Sequence, residues 1–199
     1  MSYTEMYVVP KEGPVECVSE FQNAHGGAWF VWEALYDAYE FREGEYTHQD
    51  GVLERVWDHF KSSDRARFFE RVVLGSTFDN VMVKREHWLF LASCMEEFRV
   101  KHPRTDKVCS LLDQAAMLKQ LYREAPAEIV AVCWNQTSVN GDAWTVYEPT
   151  DDDEEEDTRC YDITRDRGHW FLFDKLKIPS GPADPTLQKY KESRYTSND

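Results

Sequence analysis

The residues Asp151-Asp152-Asp153-Glu154-Glu155-Glu156-Asp157 constrain the chemistry of this chain more than any other stretch. These seven adjacent carboxylates supply half of a formal net charge of −14. A buried carboxylate needs a partner or a proton, so the run cannot pack in a core. It is either a plain solvated loop or a contact for a basic surface. Calcium loops alternate ligands with spacers and need a glycine at the turn. This run has neither, so it does not read as a metal loop.

A second acidic zone begins at Glu33, Asp37 and Glu40, which share one face of an expected helix. Glu43, Glu45, Asp50, Glu54 and Asp58 follow, so residues 33–58 hold eight carboxylates against Arg42 and Arg55. Carboxylates one helical turn apart stand about as close as successive phosphates on a nucleic-acid strand. Such a surface can imitate a phosphate backbone, or it can be the solvated face of an acidic protein. Asp50, Glu54 and Asp58 recur at steps of four beside His59. Metal sites in helical bundles use such groups, with Glu-x-x-His from each of two helices. Here that spacing occurs once, at Glu45 and His48, between two expected helices.

Nucleophilic chemistry has few candidates. Cys133 ends an apolar stretch and His169 could lie on a neighbouring strand, so a Cys–His pair is a geometric option. A cysteine inside Glu128-Ile129-Val130-Ala131-Val132-Cys133-Trp134 is far more often core. The segment from Trp134 to Trp144 places Asn135, Gln136, Thr137, Ser138 and Asn140 between two indoles. That mixture suits a ligand pocket, and it also suits an ordinary polar turn. No Cys-x-x-Cys, His-x-x-x-His, phosphate loop or Gly-x-Ser-x-Gly elbow is present. The expectation is therefore no catalytic centre, no cofactor and no metal.

The charge balance sets the sign of a partner. Residues 1–100 hold 18 acidic and 10 basic residues; residues 101–199 hold 19 and 13, and would be +1 without the run. Direct nucleic-acid binding needs clustered Lys and Arg, so the expected partner is a basic protein surface. Met1 to Val18 lacks a basic start and an apolar run, and the five cysteines are widely spaced. Together these predict a cytoplasmic protein with free thiols and no membrane segment.

The pattern of elements predicts an α+β domain. Residues 4–9 and 15–18 read as a hairpin across Lys11-Glu12-Gly13-Pro14. Helices are expected from Asn23 or the Gly26-Gly27 pair to about 41, and over 51–60, 65–74, 84–101 and 106–124, from apolar residues at spacings of three and four. Short apolar runs at 128–134 and 143–148 read as strands, and 159–163 is expected to pair with 169–173. An antiparallel sheet from the N-terminal hairpin and the C-terminal strands would pack on about five central helices. Residues 1–178 would form one compact domain with an acidic loop at 149–158, and 179–199 a polar, mobile tail.

Two stretches carry a resemblance. Tyr7-Val8-Val9 leading into Asn23-Ala24-His25-Gly26-Gly27-Ala28 and Trp32-Glu33-Ala34-Leu35 is one. Ser76-Thr77-Phe78-Asp79 with Arg85-Glu86-His87 is the other. Over residues 1–145 at most, the chain resembles small proteins carried by bacteriophages and mobile elements, to which no activity is attached. The resemblance implies a bacterial host cytoplasm. In that setting an inhibitor of a host-defence complex, comparable in charge to acidic anti-CRISPR proteins, is the expected class. Its expected contacts are Glu33, Asp37 and Glu40 together with residues 151–157. The alternatives are a ligand-binding or enzymatic domain near Trp134–Trp144, and a self-associating phage accessory protein.

Overall fold

The structure, a computed structural model, describes residues 3–22, 27–39, 66–78, 80–103, 109–136, 143–148 and 157–176. The expected helix over 51–60, the tail beyond 178, and the acidic residues Glu40 and 151–156 lie outside them.

The fold is α+β, as the alternation of elements predicts. Strands β1 (Tyr3–Pro10) and β2 (Glu16–Gln22) form the N-terminal hairpin. They are followed by helices α1 (Ala28–Tyr39) and α2 (Phe68–Gly75) and strand β3 (Val81–Lys84). A 3-10 turn over Arg85–His87 leads into α3 (Trp88–Lys101), then α4 (Leu111–Glu124) and β4 (Ile129–Asn135). The described chain ends with β5 (Thr145–Glu148), β6 (Asp157–Cys160), β7 (Trp170–Phe171) and the short α5 (Leu172–Lys175).

Five strands make one sheet in the order β2-β1-β4-β3-β7, and β5 and β6 make a separate ribbon. Both faces of the large sheet are covered, which explains the unbroken apolar run of β4. Side chains alternate across a strand, and here both sets are buried. Met6, Val8, Val83, Val132 and Trp134 join Phe30, Leu35, Phe69, Trp88, Leu91 and Phe98 in the helix-side core. Tyr7, Val9, Met82, Ala131 and Cys133 join Trp144 and Tyr161 in a second core beneath the ribbon. Fully burying a side chain of this size contributes about 1.5–3 kcal/mol, so each layer holds the sheet from its own side. Pro10, which has no N–H to give a ladder, stands at the end of β1, where the β1–β4 register shifts.

Three expectations change. Val81–Lys84 is a strand inserted between β4 and β7, where the sequence suggested only the approach to a helix. The sheet is not wholly antiparallel, because β7 runs parallel to β3. The expected pairing of 159–163 with 169–173 is replaced by β6 on β5 and β7 on β3. The physical reason is the turn after Tyr161. The Asp162 carboxylate accepts from the Thr164 amide at 2.8 Å and its hydroxyl at 2.7 Å, and the Asp162 carbonyl accepts from the Arg165 and Asp166 amides. Such side-chain bonds curl the backbone out of an extended path. Gly168 then takes φ +115, a conformation L side chains avoid.

Among the described residues no helix is long and apolar enough to cross a membrane.

Candidate functional site

The described residues on either side of the acidic run are strand neighbours. In the ribbon, Thr145, Val146, Tyr147 and Glu148 pair with Cys160, Arg159, Thr158 and Asp157. The last pair, Glu148 and Asp157, brackets residues 149–156, six of which are acidic. Asp157 itself is exposed at the start of β6. The ribbon is anchored from below: Trp144 is 1 % exposed and Tyr161 6 %. Their rings meet edge to face at 5.3 Å, and the Trp144 indole donates to the Trp134 carbonyl at 2.9 Å. Main-chain bonds tie Tyr161 to Trp144 and Val15.

Like charges opposite one another on a ladder repel, and Glu148 faces Asp157. Arg159 offsets this at the ribbon's base. Its Nε donates to Glu148, and its Nη1 and Nη2 donate to the two Asp166 oxygens at 2.7 and 2.8 Å. A bidentate guanidinium–carboxylate pair fixes direction as well as charge. The Arg159 hydrogen bond holds the Asp166 carboxyl down at about 2, against the opposing effect of burial. Because this carboxyl is depressed, the pair is complete above the ordinary Asp range and is lost only as pH falls towards 2. Arg159→Met is expected to raise amide hydrogen exchange at Tyr161 and Asp162 a few-fold. Exchange at Met6 and Val132 should not change; equal acceleration in β1 and β4 would mean that the ribbon and sheet open together.

The second acidic zone is described only in part. On α1, Ala28, Phe30, Val31, Ala34 and Leu35 are buried, with Trp32 and Tyr39 packed beside them. Glu33 is half-buried and Asp37 exposed, on the other side of that stripe. Glu40 and the would-be metal set Asp50, Glu54, Asp58 and His59, with Glu45 and His48, fall outside the described residues.

Cys133 and His169 are both placed. Cys133 is fully buried, with Tyr7 and Met82 as its cross-strand neighbours. The Tyr161 hydroxyl lies 2.8 Å from Nδ1 of His169. Burial, helped by the charge of Arg167, keeps His169 below its ordinary value, and burial pushes Tyr161 up. A protonated hydroxyl donating to a neutral imidazole is the arrangement that follows. Tyr161 thus serves His169 and also belongs to the core around Cys133. Trp134 and Trp144 do not wall a common pocket, because they belong to the cores on opposite faces of the sheet.

One polar cluster escaped the sequence. Glu70, on α2, is only 2 % exposed. It accepts from Nε2 of His102 at 2.8 Å, from the Arg67 amide at 2.7 Å, and from the Tyr39 hydroxyl. Burial pushes this carboxyl up, but the bonds from His102, Tyr39 and the Arg67 backbone outweigh it and leave it below its ordinary value. Burial and the adjacent Glu70 carboxylate push Tyr39 up to about 12. The cluster joins α1, α2 and the end of α3, and reads as a fastening between helices. Its signal, a glutamate in the apolar stretch Phe68-Phe69-Glu70-Arg71-Val72-Val73, is local, while its partners are distant.

Trp32, Ser76, Thr77, Arg85 and His87 have structural contacts. The Trp32 indole donates to the Thr77 hydroxyl at 2.9 Å, and Thr77 and Ser76 donate to α2 carbonyls at 2.6 and 2.8 Å. Arg85 reaches the carbonyls of Tyr122, Ala125, Pro126 and Ile129. The His87 ring stacks on Phe173 at 4.2 Å. Searches against protein-family profiles, curated proteins and solved structures give no match to this chain.

Proposed function

We propose that this chain is a non-enzymatic acidic binding protein that occupies a basic, nucleic-acid-binding surface of a partner. The observation that carries the reading is the pairing of Glu148 with Asp157 at the end of an anchored ribbon. Six of the eight residues between Glu148 and Asp157 in the sequence are acidic. A concentrated charge of one sign accelerates encounter with an opposite surface by roughly 10–1,000-fold, and the gain falls with ionic strength. Glu33 and Asp37, and Glu40 beyond them, supply the second contact in this reading. If the chain has the phage setting that its resemblance implies, a host-defence complex that handles nucleic acid is the first class of partner to test. The Cys133–His169 alternative gains nothing specific from the geometry, since the thiol is enclosed and Tyr161 holds the imidazole.

The test is capture from a bacterial lysate at low and moderate salt. The parent chain is compared with a variant carrying Asn or Gln at residues 151–157. The expected result is a nucleic-acid-handling protein bound by the parent, released by salt and absent from the variant. Cys133→Ala and His169→Ala should capture it unchanged. Equal capture by the neutralised variant, or no salt-sensitive partner at all, would overturn the proposal.

A further inference from the structure

We propose that the contact between Tyr161 and His169 is a pH-sensitive latch. It holds the foot of the β5–β6 ribbon to the sheet while His169 is neutral, and it lets go when His169 takes up a proton. Tyr161 sits where the ribbon meets the hairpin: its main-chain N–H gives to the Trp144 carbonyl at 2.7 Å, and its carbonyl receives the Val15 N–H at 2.8 Å. His169 directly precedes β7, whose Trp170 and Phe171 pair with Val81 and Met82 of β3. The bond from the Tyr161 hydroxyl to Nδ1 of His169, at 2.8 Å, ties these two parts together. Four rings follow one another along the tie. Trp144 meets Tyr161 at 5.3 Å, Tyr161 meets His169 at 5.8 Å, and His169 meets Phe171 at 5.5 Å, each edge to face.

Only one proton fits between the phenol oxygen and Nδ1. With His169 neutral, the phenol supplies it and Nδ1 accepts. Protonation puts a second hydrogen on Nδ1, so the phenol has to turn its own away. Tyr161 is 6 % exposed and packed with Tyr7, Val9, Met82 and Cys133, so little water is there to receive that hydrogen. A buried donor without an acceptor is costly. The new charge is not compensated either. Among the described residues, no carboxylate forms a salt bridge with His169. In the turn, Asp166 is held by Arg159, Asp162 accepts from Thr164, and Arg167 brings a further cation. Around β7, Lys84 lies over Phe171 at 4.7 Å and pairs with Asp174 at 2.9 Å, and Lys175 lies over Trp170 at 5.8 Å. From the sheet come the Cys133 thiol and Tyr7, whose hydroxyl gives to Glu5 at 3.0 Å.

Burial and the charge of Arg167 keep His169 below its ordinary 6.5. Above 6.5 the ring is neutral with the latch closed or open, so pH does not move the balance. As pH falls through 6.5, the open form takes the proton first. The balance then shifts towards opening until the closed form is protonated as well. The Asp166 carboxyl, held at about 2, stays ionised throughout, so the Arg159 pair keeps its place. The latch does not depend on what residues 151–157 bind.

The experiment is amide hydrogen exchange by NMR on the 15N-labelled full chain at about pH 7.5 and about pH 5.5, each rate divided by the intrinsic rate at that pH. The His169 ring is titrated in the same samples. Protection of the Tyr161 and Val15 amides is expected to fall several-fold at the lower pH, while Met6 and Val132 keep theirs. The ring should titrate below 6.5. His169→Asn leaves an amide oxygen to accept from the phenol but has no proton to gain, so its protection should be the same at both pH values. Tyr161→Phe lacks the bond and should show the low protection already at the higher pH, with no further fall. Unchanged protection in the parent, the same fall in His169→Asn, an equal fall at Met6 and Val132, or a ring that titrates at or above 6.5 would overturn the proposal.

Discussion

Glu70→Ala is expected to lower the unfolding free energy by about 3 kcal/mol at pH 7, because stranding buried hydrogen-bonding groups costs roughly 1–3 kcal/mol for each. The loss is large because one carboxylate serves three donors from three parts of the chain: Tyr39, the Arg67 amide and His102. Alanine leaves all three without an acceptor beside the Phe98 ring, whose centroid is 4.5 Å from that of His102. Glu70→Gln keeps an oxygen for the amide and the hydroxyl, and should cost about 1 kcal/mol. Tyr39→Phe removes one bond and should cost a similar amount. The sign of the pH dependence follows from the depressed carboxyl. Its contribution is complete above its ordinary value of 4.5 and is lost as pH falls through the lower folded value. Urea unfolding should therefore show a parent–Glu70→Gln gap at pH 7 that closes in acid. A gap that stays constant to pH 3 would mean that Glu70 contributes through packing, not charge.

Arg85→Ala is expected to cost about 2 kcal/mol, from hydrogen bonds of a charged donor to main-chain carbonyls. The last carbonyls of a helix have no intrahelical partner and carry a partial negative charge. Arg85 meets this need at the end of α4: its Nη2 reaches Tyr122 at 3.3 Å and Ala125 at 2.8 Å, and its Nη1 lies 2.5 Å from Pro126 and 3.4 Å from Ile129. The same side chain lies over the Trp88 ring at 5.5 Å. It ties the turn before α3 to the turn between α4 and β4. The melting temperature should fall by roughly 4–8 °C for a chain of this size. Arg85→Lys should recover less than half, because an ammonium lacks the planar fork. Full recovery by lysine would show that charge alone is at work.

The parts of the fold legible in the sequence are those governed by burial over many residues. Leu111, Ala115 and Leu118 keep a helical spacing, and all three are buried. The β4 run reads as a central strand because both of its faces meet a core. Val81–Lys84 was missed because four residues are too few for periodicity to separate a strand from the start of a helix. The β6 and β7 pairings were missed because they depend on the Asp162 turn and on Arg159, whose bonds to Glu148 and Asp166 carry no hydrophobic pattern. Glu70 was invisible for a related reason: its partners Tyr39 and His102 lie 31 and 32 residues away. Of the candidate site, the charge of residues 151–157 was plain, and so was its position between two strands. The bond from the Asn135 amide to Glu5 could not be read, because only the folded sheet brings these two residues together.

The β1–β4 ladder has a consequence for synthesis. It joins Glu5 to Asn135 and Pro10 to Ile129, so the second strand of the sheet's inner pair is made about 120 residues after the first. At roughly 5–20 residues per second, β1 waits about 6–24 s for its partner. During that interval the hairpin presents Met6, Tyr7, Val8 and Val9 on both faces with one ladder edge unpaired. The nascent chain, more than the finished protein, is the form of this molecule in need of a chaperone.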